Sequence, residues 1–328
     1  MILFWVFVLA LATLLYVLLD GFDLGVGILF GFTRQETRRR AMLSAVSPMW
    51  DGNETWLIVV GVVLWGAFPI VYATLLSAFY LPLMLMLAGL ILRGVAFEFR
   101  YKAERMRWVW DAGFAGGSLV AAFIQGLTVG ALVEGLPIVD GHYVGGSFGW
   151  LSPFAVLCGI GLCLGYALLG ACWLVRKCEG EPRDAAYRVI PALALGLLAF
   201  LIIVFAYALA EHLRVIGRWL ERPYLFVFPA IGIVAAIVLA GSVRRRRDGA
   251  PFHMVAVMFA AAFCTLAISF WPYMVPFTIT IEQAAAPRSS LAFMFWGEGL
   301  FIFPLMLVYT AVSYSVFRGK IGSASQHY

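Results

Sequence analysis

Six carboxyl groups and one arginine lie inside or at the edges of apolar stretches of this sequence. Asp20 and Asp23 are three positions apart, which places both on one face of a helix. Arg93 lies inside a later apolar stretch, and the other members are Asp51, Glu54, Glu98 and Asp111. Charge in an apolar medium is costly unless it is paired or used. These residues are therefore candidates for ion pairing or for handling protons.

A proton path is the functional interpretation of this set. Arg93 is the natural counter-ion for one or two of the carboxylates. Burial disfavours the charged form of a carboxyl group, so those without a cation can hold protons. The predicted path consists of Asp20, Asp23, Asp51, Glu54, Arg93, Glu98 and Asp111.

Five of the six carboxylates also have a purely structural explanation. Asp51 with Glu54 three residues later matches a capping box at a helix start. The two aspartates of the first stretch can serve only as packing partners of Arg93. Asp111 fits a helix N-terminal carboxylate that the helix dipole favours. None of these explanations predicts that all seven charges share one depth in a membrane.

Other polar residues are less specific. Glu298 lies in an apolar stretch with no cation nearby in sequence, so an interhelical hydrogen bond and a functional carboxylate stay equally open. Gln125 favours an interhelical hydrogen bond. A transmembrane haem needs suitably placed axial ligands, and the histidines fall in loops or at the edges of the apolar stretches: His142, His212, His253 and His327. We therefore predict that this chain binds no haem or metal of its own.

The elements that carry these residues are predicted to be membrane-spanning helices. Of 328 residues, 63% are apolar and 12% are charged, and the mean hydropathy is +0.94, whereas soluble domains are roughly 25% charged. Apolar runs of about 20 residues, the length of a membrane span, recur along the chain. We predict an all-α polytopic membrane protein with about nine spans, near residues 2–31, 54–72, 74–97, 111–135, 153–175, 189–210, 225–243, 252–275 and 291–317.

The distribution of lysine and arginine predicts the orientation of these spans. Of the 23 basic residues, 18 fall on one side, four on the other and Arg93 inside a span. Cytoplasmic loops carry the excess of positive charge. We therefore expect residues 1–328 to form a single integral membrane domain with its N-terminus outside and its C-terminus in the cytoplasm. The net charge of +5 reflects this orientation, and nucleic-acid binding is not indicated.

Several motifs resemble subunit II of cytochrome bd-type quinol oxidases. The match is dense over the first 120 residues, extends through the middle in hydropathy only, and is moderate in the last span. The motifs are DGFDLGVG at 20–27, WDGNETWL at 50–57, LRGVAFEFR at 92–100, WD at 110–111, WP at 271–272 and LVYT at 307–310.

This resemblance implies a fold, a reaction and partners. The fold is two four-helix bundles with one peripheral helix, paired with subunit I in the bacterial cytoplasmic (inner) membrane. The complex oxidises quinol and reduces dioxygen to water with cytoplasmic protons. Subunit I carries the quinol site and the b-type and d-type haems, and subunit II carries none. A structural ubiquinone, a small single-helix subunit and membrane lipid are further expected partners.

The resemblance also implies roles for particular residues. Asp51 matches the family aspartate at a cytoplasmic proton entry, and Trp56 matches the tryptophan near a proposed route for dioxygen. Met49 stands where some members have histidine, so a relay through that position is not implied. Two alternatives remain open from the residues themselves: an ion-coupled secondary transporter that uses the intramembrane carboxylates, and a scaffold without a chemical role.

Overall fold

Helices form most of the chain in the computed structural model, which describes residues 1–103, 105–139, 142–211 and 213–321. The long helices are α1 (Ile2–Gly31), α3 (Trp50–Ala67), α4 (Pro69–Arg100), α5 (Arg107–Glu134), α6 (Pro153–Lys177), α7 (Gly180–Ala210), α9 (Val227–Arg244) and α10 (Ala250–Phe270). The last span consists of α12 (Arg288–Met294), a π-helical segment (Phe295–Ile302) and α13 (Phe303–Val316).

Shorter elements connect these helices. They are α2 (Glu36–Val46), α8 (Arg214–Glu221), a 3₁₀ turn (Pro223–Phe226) and α11 (Ile281–Ala284). Two small antiparallel hairpins complete the connections, one of β1 (Ile138–Val139) with β2 (His142–Tyr143) and one of β3 (Tyr273–Val275) with β4 (Ile279–Thr280). We call the end of the molecule where α2 lies the α2 end.

Eight helices in the described part of the chain are long and apolar enough to cross a membrane. Helix α3 accompanies them, packs on α1 and α4, and has 18 residues with its charged residues in the first two turns. The polar start of α3 lowers its mean hydropathy and separates it from the other eight. Together these helices agree with the predicted all-α, multi-pass architecture.

Some predicted boundaries are wrong, and proline or surface charge explains each difference. The bound at 72 for the second span is wrong, whereas the split that the residues 67–69 predict between the second and third spans is confirmed at Phe68, because Pro69 has no N–H to continue α3 and instead opens α4. Helix α7 begins at Gly180, nine residues before its predicted start, because a helix can extend beyond the apolar layer with charged residues on its surface. Helix α4 also bends at Phe79, three residues before Pro82.

The helices form two bundles of four with a shared interface. Helices α1, α3, α4 and α5 pack together, and α6, α7, α9 and α10 form the second group. Helix α6 contacts α1 and α5, and α10 contacts α1, so these contacts join the groups. Helix α12 contacts α3 at the edge. This arrangement confirms the expected two bundles with one peripheral helix.

Glycine allows the close contact between α1 and α6. A Cβ atom added to Gly25 would lie 1.8 Å from the carbonyl oxygen of Tyr166, and Gly170 faces the same stretch of α1. Small residues permit such backbone contacts between membrane helices. The contact at Gly25 therefore fixes the α1 segment that carries both buried aspartates.

Candidate functional site: two charged clusters

Arg93 ties α4 to the carboxyl groups of α1 and α3. Its Nη1 donates to Asp20 Oδ1 at 2.8 Å and its Nη2 donates to Glu54 Oε2 at 2.9 Å. The side chains of Arg93 and Asp20 are 2% and 0% exposed, whereas that of Glu54 is 27% exposed. The predicted counter-ion role of Arg93 is confirmed, and Glu54 reaches from this buried pair towards the surface.

The carboxyl group of Asp23 lies beside the buried pair of Arg93 and Asp20, and it makes no salt bridge with a described residue. Asn53 Nδ2 donates to Asp23 Oδ2 at 2.7 Å and to the carbonyl oxygen of Leu19 at 3.2 Å. The hydroxyl of Tyr314, on α13, donates to Asn53 Oδ1 at 2.9 Å. We call these residues the inner cluster: Asp20, Asp23, Asn53, Glu54, Arg93 and Tyr314.

The inner cluster has polar atoms that no described group satisfies. They are Asp20 Oδ2, Asp23 Oδ1 and Arg93 Nε, all fully buried. A cavity of about 10 Å³ adjoins Asp23 and Arg93 and is otherwise lined by Val46, Trp50, Phe97 and Phe114. That volume is about one water-probe sphere, and buried water typically occupies such sites where several polar groups converge. The site therefore has a void of about the size of one water beside an acid and a guanidinium, and the rest of its wall is apolar.

A separate group of ion pairs joins α2 to α4 and α5. Arg100 Nε donates to Asp111 Oδ1 at 2.5 Å, and Arg39 Nη1 donates to Asp111 Oδ2 at 2.6 Å. Arg100 Nη2 also donates to Glu36 Oε2 at 2.8 Å, and Arg107 Nη1 lies 3.5 Å from Glu36 Oε1. We call these residues the surface cluster: Glu36, Arg39, Arg100, Arg107 and Asp111.

Aromatic contact and hydrogen bonding stabilise the surface cluster. The guanidinium carbons of Arg39 and Arg100 lie 4.8 and 5.3 Å from the ring centroid of Phe30, within cation–π range. Partial burial raises the pKa of Glu36, but hydrogen bonds from Arg100 and Arg40 and the nearby positive charges outweigh it. The pKa of Glu36 consequently lies below its ordinary value.

The predicted residues thus separate into two layers. Arg93 and Arg100 are seven positions apart on α4, which is about 10 Å along a helix, so Asp111, which pairs with Arg100, belongs to the surface cluster and not to the inner one. Asp51 and Glu98 are exposed at the α2 end. The capping-box explanation is wrong, because α3 begins at Trp50 and its N-cap receives no side-chain hydrogen bond.

Trp56 lies one turn beyond the inner cluster's asparagine on α3. Its side chain is fully buried, and its indole N–H has no partner among the described residues. The ring of Phe303 packs edge-on at a centroid distance of 6.2 Å. Trp56 therefore belongs to a buried apolar core, and its indole N–H has no described partner there.

Gln125 makes the interhelical bond that its sequence context predicts. Its Nε2 donates to the hydroxyl of Tyr16 on α1 at 2.8 Å, and its Oε1 accepts from the hydroxyl of Tyr166 on α6 at 2.8 Å. One side chain of α5 thus bridges both bundles.

Glu298 lies apart from both clusters. It belongs to the π-helical segment and lines a groove of about 480 Å³ together with residues of α3 and α12. Of the histidines, His142 belongs to β2 and His253 Nε2 lies 3.0 Å from Arg176 Nη1. His212 and His327 lie outside the described residues.

Sequence reasoning missed the partners that orient the acids. Asn53 and Tyr314 are 261 positions apart in the chain, and Arg100 and Glu36 are 64 apart. Their polarity inside or next to apolar stretches was the available signal. The pairing itself depends on which helices are neighbours, which a single sequence does not specify.

The fold and site define a class: a helical, multi-pass membrane protein of two four-helix bundles with a buried acid–arginine cluster at one end. The family model for cytochrome bd terminal oxidase subunit II matches residues 1–317. The chain therefore belongs to that family, as its motifs predict. It is a subunit of a bd-type quinol oxidase, a haem-carrying oxidoreductase complex that also contains subunit I.

Individual relatives agree with this assignment. The cytochrome bd-I ubiquinol oxidase subunit 2 of Escherichia coli K12 is 31% identical over 349 residues, which cover 92% of this chain and 90% of that protein. The cytochrome bd ubiquinol oxidase subunit 2 of Bacillus subtilis is 28% identical over 328 residues, which cover 97% and 96%. The solved structure of bd oxidase from Geobacillus thermodenitrificans contains a chain with a TM-score of 0.78, 17% identity and 96% coverage of both chains.

Proposed function

We propose that this chain conducts protons from the cytoplasm towards the oxygen-reducing haems of subunit I. The observation that carries the proposal is a graded burial of acids. Asp51 and Glu98 are exposed, Glu54 is partly exposed, and Asp20 and Asp23 are buried, with Asp23 beside the water-sized cavity. Such a series offers successive proton-holding groups from the surface inwards.

The charge balance of the inner cluster supports the same role. One guanidinium, that of Arg93, faces three carboxyl groups within the cluster. A single cation cannot neutralise three carboxylates in an apolar medium, so the cluster holds spare acids that can take up protons. In the surface cluster three arginines face only two carboxylates. We therefore propose a structural role for Asp111, which holds α2 in place over the proton path.

The family and the basic loops support a proposal for the orientation of the chain and for the division of labour between the subunits. We propose that residues 1–328 form one integral domain of the bacterial inner membrane, with the α2 end and the C-terminus in the cytoplasm. Subunit I then carries the b-type and d-type haems and the quinol site, and this chain is non-catalytic. A structural ubiquinone, bound lipid and a small single-helix subunit are compatible additions.

Trp56 is proposed to border a route for dioxygen. Its fully buried position in an apolar core suits a small apolar gas. Its indole N–H makes no hydrogen bond to a described group that would explain the tryptophan structurally. Trp56→Phe is expected to change the apparent KM for dioxygen and to leave that for quinol unchanged. Unchanged values for both substrates would contradict the route.

Asp51→Asn tests the proton role. We expect slower oxygen consumption per haem in the assembled complex, most clearly at high pH where protons are scarce, and recovery in Asp51→Glu. The matched control is Asp184→Asn, which removes a carboxylate that pairs with Arg183 and Arg246 at the start of α7. Equal rates for Asp51→Asn and the unaltered complex across the pH range would overturn the proposal.

The haem assignment has its own experiment. The complex is purified through a tag on this chain, and a reduced-minus-oxidised spectrum is recorded before and after subunit I is stripped away. We expect the haem signals to disappear with subunit I. Haem that stays on the isolated chain would contradict a haem-free subunit.

A further inference from the structure

The end of the last helix is anchored to α6 by a buried lysine. Lys177 is 4% exposed, and its ammonium donates to the carbonyl oxygens of Phe317 and, at 3.3 Å, Gly319. The backbone N–H of Ile321 donates to the Lys177 carbonyl at 2.8 Å. We call Lys177 with residues 317–321 the C-terminal anchor. It satisfies carbonyl groups at the end of α13 that would otherwise lack partners.

The anchored helix places Tyr314 against the inner cluster. The tyrosine ring packs edge-on to Phe22, at a centroid distance of 6.5 Å, and beside Trp173 at 6.1 Å. Its hydroxyl reaches Asn53, whose amide in turn contacts Asp23. A chain of two hydrogen bonds therefore runs from the last helix to a buried acid.

The orientation of the Asn53 amide is determined by its neighbours. The carbonyl oxygen of Leu19 can only accept a hydrogen bond, so the amide nitrogen must face it. The amide oxygen is consequently directed to the Tyr314 hydroxyl, and the second amide hydrogen is directed to Asp23 Oδ2. This arrangement leaves Asp23 Oδ1, which has no described partner, as the free oxygen of that acid.

We infer that Tyr314 is a positioning residue for proton transfer: acting through Asn53, it holds Asp23, which lines the water-sized cavity, with one carboxyl oxygen bound and the other free. The C-terminal anchor fixes α13 so that this contact forms. The inference rests on the proposed proton path. It adds to that path a positioning residue, Tyr314, which comes from the last helix of the chain.

Tyr314→Phe is the direct test, because it removes the hydroxyl and keeps the ring. Oxygen consumption per haem is measured against pH in the assembled complex. One hydrogen bond that orients a reacting group corresponds to a rate loss of about 2- to 10-fold, and we expect that loss together with a shifted pH profile. A merely structural role would lower the yield of complex without moving the pH profile.

Tyr309→Phe is the matched control on the same helix. Tyr309 is exposed, and no hydrogen bond of its hydroxyl occurs among the described residues. We expect its rate and pH profile to equal those of the unaltered complex. A Tyr314→Phe complex that behaves in the same way as this control would overturn the inference.

Two further variants separate this inference from the proton path itself. If Tyr314 acts through Asn53, the double variant Tyr314→Phe/Asn53→Ala is no slower than Asn53→Ala alone, and fully additive losses would contradict that route. Asp23→Asn tests the path. A normal rate in Asp23→Asn would overturn the proposed function together with the inference, whereas a slow Asp23→Asn with a normal Tyr314→Phe would overturn the inference alone.

Lys177→Met tests the C-terminal anchor without altering the inner cluster. We expect the same direction of pH shift as in Tyr314→Phe, with a smaller loss of rate per haem. An unchanged pH profile in a complex with normal haem content would show that the C-terminal anchor does not help to position Tyr314.

Discussion

The inner and surface clusters are both built from carboxylates and arginines, yet their charge balance is opposite. The inner cluster has one guanidinium for three carboxyl groups and keeps buried polar atoms without described partners. In the surface cluster every carboxylate contacts at least two arginines. An acid that is fully paired contributes to stability, whereas a spare buried acid is suited to exchange protons. We therefore assign a structural role to the surface cluster and proton transfer to the inner cluster.

The largest expected effect comes from removing the single cation of the inner cluster. Arg93→Met leaves Asp20 and Glu54 buried or partly buried without a counter-charge, which typically costs about 3–5 kcal/mol. We expect the haem-containing complex to be lost or strongly depleted after detergent extraction. Arg107→Met is the control, since this half-exposed arginine makes only a 3.5 Å contact with a carboxylate. Equal yields for both variants would contradict the difference between the clusters.

Asp20→Asn is expected to impair turnover more than stability. The substitution keeps the shape of the side chain but removes a group that can take up a proton, so oxygen consumption per haem should fall by about tenfold or more. Assembly should remain measurable, because the amide oxygen can still accept from Arg93. The rate per haem at several pH values checks this prediction, and a normal rate at every pH would contradict it.

Asp111→Asn is expected to show the reverse pattern. The aspartate accepts short bonds from two arginines, and the loss of its charge should lower the stability of the complex by about 1–3 kcal/mol. Thermal unfolding in detergent measures this loss. Turnover per haem in the surviving complex should stay normal. A slow but fully stable variant would move Asp111 from the structural layer into the path.

Glu36→Gln should have the smallest effect, and one that depends on pH. The folded-state pKa of Glu36 lies below its ordinary value, so its stabilising contribution is complete above the ordinary value and disappears as the pH falls through the folded-state value. Because the side chain is 39% exposed, solvent screening limits the contribution to about 1 kcal/mol or less. Thermal unfolding at pH 7 and pH 4 should show a larger difference between the variant and the unaltered complex at pH 7 than at pH 4.

The sequence predicts the positions of the charges along the helices well, and their contacts less well. Apolar run length located the spans, and Arg93 was identified as the counter-ion because it is the one basic residue inside a predicted span. The sequence predicts one depth for all seven charges, whereas the structure places them in two layers. Arg93 and Arg100 are seven positions apart on α4, which is about 10 Å along the helix. That separation becomes meaningful only when α2, with Arg39 and Glu36, is known to cover the helix ends.

Contacts between distant parts of the chain were beyond single-sequence reasoning. The bond from Tyr314 to Asn53 joins the last helix to α3, and nothing in either local sequence specifies the rotation of the two helices about their axes. Asp51 with Glu54 fits a capping motif in the sequence. In the structure α3 begins one residue before Asp51, so Asp51 is not the N-cap, and Glu54 binds Arg93. Tertiary pairing here overrides a local pattern.

Infrared difference spectroscopy of the assembled complex can show directly which carboxyl groups carry protons during turnover. Protonated carboxyl groups have a C=O stretching band that ionised carboxylates lack, and the band shifts in D₂O. The account predicts such a band, changing during turnover, that disappears in Asp20→Asn or Asp23→Asn and persists in Asp111→Asn. A spectrum in which neither inner variant removes a carboxyl band, or in which Asp111→Asn does, would contradict the assignment of proton transfer to the inner cluster.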